Sequence, residues 1–293
     1  MIRPTANALV SFHYFGKFDL DQLSRLRLIG DSGAYSARVK GIEISNAQLA
    51  AWAKQWRHRL AWVASLDIAG DIPATRRNWH TLVDGHGIPA VSSLHVGTDP
   101  AEMDYYAAHG VDFLGLGGMA GGNSSPKRQL RWLIDVFRYA RTHHPQMRFH
   151  GWGVTNRSMM RLPFWSVDSS GWAASYRYGL LALHDPRTGK PVQVRMDGSA
   201  AYDRDIAYML RDHYGVTPSQ LARSTAANRE LVIRVSALSA AAKQDWFRRM
   251  HGTITSPTWG QLNGCVDGPH MHLAEAAPRN ITVLNDMLTE VPA

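Results

Sequence analysis

Short apolar runs, each ended by a polar residue or a glycine, constrain this chain more than any other feature. They are ALVSFHYF (8–15), LRLIG (26–30), AWVASLD (61–67), PAVSSLH (89–95), DFLGLGG (112–118), RFHGWG (148–153), FWSVDSS (164–170) and YRYGLLAL (176–183). Each is too short for a buried helix and reads as a strand. Helical patterns lie between most of them. SNAQLAAWAKQWRHRL has Ser45 as a candidate N-cap, with Leu49, Trp52, Trp56 and Leu60 at helical spacing. IPATRRNWHTLVDGHG, PAEMDYYAAHG and a long segment at 126–144 supply others. Strand–helix alternation of this kind predicts parallel βαβ units. About eight of them predict an α/β fold of the (β/α)8 TIM-like barrel type, with a doubly wound open sheet as the alternative. The barrel is expected over 1–185. A largely helical C-terminal extension is expected over 186–293, beginning with a hairpin in HDPRTGKPVQVRMDGS and breaking near 215–217 and 226–228.

The ends of the runs carry the chemistry. Asp31 follows the second, Asp67 ends the third, His95 the fourth, Gly117 and Gly118 the fifth, His150 and Trp152 the sixth, and Asp168 the seventh. Parallel strands in a barrel bring such ends to one face, where these folds do their chemistry. Singly, each residue has a plainer explanation: an aspartate after a strand caps a helix or forms a turn, and a histidine packs in a core. LGLGGMAGG lacks both the Lys-Ser/Thr ending of a phosphate loop and the GxGxxG spacing. The inference rests on coincidence across strand ends.

The 293 residues carry a net charge of +8, which favours an anionic partner, nucleic acid first. Arg38, Arg76, Arg77, Lys127 and Arg128 are candidate phosphate contacts. No apolar run is long enough to span a membrane, and the first residues do not read as a signal peptide. Cys265 is the single cysteine, which excludes an internal disulfide and fits a reducing, cytoplasmic setting. CVDGPHMH gathers Cys265, Asp267, His270 and His272, metal-capable side chains whose spacing matches no closed zinc pattern. The expectation is therefore no cofactor, with zinc at these four residues as the alternative.

DSGAY (31–35) resembles the DSGG(F/Y) motif of the tRNA-guanine transglycosylase superfamily. The later motifs follow in the same order: LGLGGMAGG is similar to its GGLAVGE-type turn, FHGWGVT to its LMGVG segment, and SVDSSGW sits where that family has its nucleophilic aspartate. The resemblance covers roughly 9–172. That family's CxCxxC…H zinc site is absent in its usual form, because there is one cysteine. This departure, with the short chain, leans toward the 7-deazaguanine DNA transglycosylases of phages and bacterial DNA-modification clusters. The resemblance implies Asp168 as nucleophile and Asp31 as general acid/base. It implies Asp67 on the N1–H and 2-amino edge of guanine, and the backbone of Gly117, Gly118 and Met119 on the O6 side. Tyr35 and His150 are expected to sandwich the ring. His95 replaces a base-binding glutamine, and Ser32 belongs to the same motif. The implied partners are DNA and a free 7-deazaguanine base, with a homodimer or an accessory DNA-modification protein besides. A bacterial or phage-infected cytoplasm is the implied location. The rivals are a tRNA-guanine transglycosylase, a base-excising glycosylase, an inactive nucleic-acid-binding barrel and a metal-dependent hydrolase.

Overall fold

Residues 7–119, 124–154, 156–173, 179–222, 225–260 and 267–288 are described by the computed structural model. Nine strands form one parallel sheet: β1 (Asn7–Ser11), β2 (Arg27–Asp31), β3 (Leu60–Ala64), β4 (Ala90–Val91), β5 (Ser93–His95), β6 (Phe113–Gly117), β7 (Arg148–Gly151), β8 (Ser166–Ser169) and β11 (His270–Ala274). Their order is β4-β3-β2-β1-β11-β8-β7-β6-β5. The outer strands β4 and β5 are consecutive in the chain, separated by Ser92 alone. The Ser65 amide donates to Val91 on one side of that break, and the Gly115 amide to Ser92 on the other. The sheet is thus nearly closed and barrel-like, not open.

Residues alternate between its two faces, as strand geometry requires. Leu9, Ile29, Trp62, Val91, Phe113, Trp165 and Ala274 form an inner cluster. Their neighbours Ala8, Val10, Leu28, Val63, Leu94, Leu114, Phe149, Val167 and Leu273 pack outward against the helices. Those helices include α3 (Asn46–Gln55), α4 (Ile72–His80), α5 (Glu102–Ala108) and α6 (Pro126–His143). The N-cap expected at Ser45 is present as a reciprocal capping box: the Gln48 amide donates to Ser45 Oγ, and the Ser45 amide to Gln48 Oε1. Gly30 faces α3, where a Cβ would press on Trp52 and Val63.

The C-terminal third departs from expectation. The run at 176–183 does not supply a barrel strand. Its described part is β9 (Leu180–His184), which pairs antiparallel with β10 (Pro191–Arg195) in the hairpin foreseen for the next segment. The missing strand is β11, between β1 and β8. A boundary at 185/186 therefore cuts the sheet. The intervening chain forms α7 (Arg204–Tyr214), α8 (Pro218–Leu221) and the long α9 (Thr225–His251), and α10 (Pro278–Met287) follows β11. Helix α9 is apolar on two sides. Val232 and Val235 join Leu181, Leu183, Leu210 and Tyr214 in a second core. Ile233, Ala237, Ala240 and Phe247 pack on the main one. Gln244 of α9 ties the sheet together, its Oε1 accepting from the Met271 amide at 2.8 Å and from Asn7 Nδ2 at 3.1 Å. Among the described residues no helix is long and apolar enough to cross a membrane.

Candidate active site

The carboxyl ends of the strands open into a cleft of about 1590 Å³, lined by Asp31, Asp67, His95, Gly117, Gly118 and Asp168 among others. Ser32 and Tyr35 also line it; His150 and Met119 do not. The space exceeds what one small ligand fills and suits a ring with flanking groups attached.

DSGAY builds the first wall. Asp31 is the last residue of β2, beside Ser11 of β1. Its Oδ2 accepts from the Gly33 amide at 3.1 Å, an Asx turn. Gly33 has φ +75, and a Cβ there would lie 2.6 Å from Ser11 Oγ, so the motif's glycine is needed on both counts. Ser32 is buried, its hydroxyl accepting from the Ala34 amide at the start of α2 (Ala34–Val39). Tyr35, 56 % exposed, lines the cleft. The Ser11 hydroxyl, which has no other partner among the described residues, is set against the Asp31 carboxyl. Burial pushes the Asp31 carboxyl up to about 7, and the charges of Asp67 and Asp168 add to this.

Asp168, 7 % exposed, stands on β8. Its Oδ1 accepts two hydrogen bonds, from the Gly153 amide at 2.8 Å and from His150 Nε2 at 3.3 Å. Gly153 has φ +65, which turns its N–H onto the carboxylate. Oδ2 has no partner among the described residues. Asp67 and His95 form an ion-pair contact, Oδ2 to Nε2 at 2.5 Å, which leaves Asp67 Oδ1 for a ligand.

One assignment changes. His150 is wholly buried, so it presents no face for stacking. Its ring lies edge-on between Trp62 and Trp152, at centroid distances of 5.0 and 4.3 Å. The aromatic residue that reaches the cleft from this segment is Trp152, whose Nε1 donates to Ser93 Oγ at 2.9 Å. Met119 uses its carbonyl to accept from Gln129 Nε2 at 3.2 Å, and the Gly117 carbonyl accepts from the Val96 amide. The glycines of LGLGG have a packing reason besides any ligand. A Cβ on Gly115 would collide with Trp152 Nε1, and one on Gly117 would lie 3.1 Å from the His95 ring. Trp152 was visible in FHGWG; nothing in the sequence marks that the indole, not the imidazole, faces the cleft.

Of the four metal-capable residues, the three that are described form no metal-holding group. Cys265 lies outside the described residues. Asp267 accepts from the Ser256 amide, and His270 contacts Arg248 Nη2 at 3.3 Å. His272 is buried on β11 opposite Asp168. Among the described residues no group of three His, Cys, Asp or Glu is placed to hold a metal ion. Of the cations, Arg76 is committed to Glu102 by two hydrogen bonds and stacks over Tyr105. Arg77, Lys127 and Arg128 are exposed, and Arg128 borders the cleft; the Arg38 side chain is outside the described residues. No model of a protein family matches the chain, and no curated protein matches it.

Proposed function

We propose that this protein is a DNA-guanine transglycosylase that exchanges guanine for a 7-deazaguanine base, such as 7-cyano-7-deazaguanine, through a covalent aspartyl-glycosyl intermediate. The observation that carries the reading is the unequal pair of carboxylates in one cleft. Asp168 is fixed through Oδ1 with Oδ2 unpartnered among the described residues, and Asp31 is held up to about 7. A carboxylate fixed with one bare oxygen, beside an acid that keeps its proton up to about pH 7, is what a two-step displacement needs.

In the first step Asp168 Oδ2 attacks C1′, the glycosidic bond breaks, and Asp31 gives its proton to the departing guanine. In the second, ionised Asp31 takes a proton from the incoming base. That base attacks C1′ and expels Asp168, so two inversions restore the configuration. One glycosidic bond replaces another, so the exchange needs neither oxidant nor ATP. Asp67 Oδ1 accepts from the N–H edge of the ring. Tyr35 provides one stacking face and Trp152 the inner wall. The target base must leave the stack to reach this cleft, and the +8 charge favours holding its phosphates. DNA is preferred to tRNA because one cysteine cannot form the three-cysteine zinc site of the tRNA enzymes. The scaffold reads as a (β/α)8 barrel in which β4 and β5 are one strand interrupted at Ser92.

The test is incubation with guanine-containing DNA and 7-cyano-7-deazaguanine, digestion to nucleosides and mass spectrometry. The deaza-deoxynucleoside is expected with the native chain and not with Asp168→Ala. Exchange on tRNA alone would overturn the choice of DNA, and release of guanine without incorporation would make the protein a glycosylase.

A further inference from the structure

Beneath Asp168 lies a buried polar chain that substrate cannot touch. Ser166 and His150 are both fully buried. Ser166 Oγ lies 2.7 Å from His150 Nδ1, and His150 Nε2 lies 3.3 Å from Asp168 Oδ1. Strand geometry makes this arrangement: Ser166 and Asp168 are two apart on β8, so both face inward, and His150 is the register partner of Ser166 on β7.

The direction of each hydrogen bond follows. An ionised carboxylate only accepts, so Nε2 carries the hydrogen. Burial holds the His150 ring below the ordinary histidine range, against the opposing pull of Asp168. A neutral ring protonated on Nε2 has a lone pair on Nδ1, so the Ser166 hydroxyl donates to it. The other groups facing the ring do not compete. Trp62 and Trp152 meet it edge-on. From β11, His272 lies at a centroid distance of 5.9 Å and is itself kept well below the ordinary range by burial. His270 lies beyond it, 6.3 Å from His272. Gly115 leaves the space that Trp152 fills above.

Resting on the transglycosylase reading, we propose that Ser166 and His150 are positioning residues for Asp168. The Ser166 hydroxyl selects the tautomer that donates to Oδ1, and that bond, with the one from Gly153, leaves Oδ2 as the attacking oxygen. Without the hydroxyl, the ring is free to place a lone pair against the carboxylate or to take up a second proton. Either change turns Asp168.

Two measurements on the full chain test this. Nitrogen NMR of histidine-labelled protein, with the signal assigned by its loss in His150→Gln, is expected to show the Nε2–H tautomer. The signal should stay constant from about pH 5.5 to about 8.5, where an ordinary histidine titrates. An Nδ1–H tautomer, or an imidazolium forming in that range, overturns the proposal. Single-turnover formation of the covalent adduct on a guanine oligonucleotide is expected to slow by about 10- to 100-fold in Ser166→Ala. The half-saturating DNA concentration should stay unchanged, a new pH dependence should appear, and Ser166→Thr, which keeps the hydroxyl, should recover most of the rate. If the native chain forms adduct and Ser166→Ala matches it, the positioning role fails while the transglycosylase reading stands. If the native chain forms none, that reading fails, and the tautomer measurement alone decides whether Ser166 sets His150.

Discussion

Asp31 is the residue whose environment has the most measurable consequences. Its carboxyl is pushed from 3.8 to about 7. Between those values the folded chain keeps a proton that the unfolded chain has released, so its contribution is complete below about pH 3.8 and is lost as pH rises through about 7. Asp31→Asn removes the penalty. Chemical denaturation should show it more stable than the native chain by about 2–4 kcal/mol at alkaline pH, and no more stable near pH 4. Under the proposed mechanism the same substitution removes the proton donor. Adduct formation by the native chain should therefore decline as pH rises above about 7, and the variant should lack that limb. A packing prediction belongs beside it. A Cβ on Gly115 would strike Trp152 Nε1 and lie 2.8 Å from Ser93 Oγ. Gly115→Ala should cost about 1–3 kcal/mol, and a shift in tryptophan fluorescence would report the displaced indole.

At the scale of elements, the closing strand comes from the far end of the chain. A fragment ending at residue 185 lacks β11, so it leaves β1 and β8 each with one open edge and exposes Leu273's neighbours. It should be insoluble, or lose cooperative unfolding by circular dichroism; a soluble, cooperatively melting fragment would show that the sheet stands without β11. Gln244 ties this strand to β1 through helix α9. Gln244→Ala removes the shared acceptor of both hydrogen bonds and should cost about 1–3 kcal/mol in a denaturant titration.

For the molecule as a whole, the excess of positive charge predicts salt-dependent binding to DNA. Lys127 and Arg128 are exposed in the first turn of α6, where cations face the positive helix end and gain most from a phosphate. Replacing each by alanine should weaken binding without regard to sequence and lower the salt slope by about one for every phosphate that its side chain neutralises. An unchanged slope in fluorescence anisotropy would place the phosphates elsewhere.

The strands from 26–30 through 164–170 were legible in the sequence because a short apolar run bounded by turn residues is a local signal. So was the gathering of Asp31, Asp67, His95, Asp168 and the glycines, since parallel strands must present their ends together. Ser45 was legible as a cap because capping is decided within one turn. What the sequence alone did not determine rests on contacts between distant segments. HMHLA (270–274) has polar residues alternating with apolar ones like any half-buried strand, and only pairing with β1 and β8 makes it part of the sheet. Helix α9 has no single apolar face to read, because it is covered from two sides. His150 and Trp152 are neighbours of similar character in FHGWG. The tertiary fold alone decides that the imidazole is buried under Asp168 while the indole, admitted by the missing side chain of Gly115, turns to the cleft.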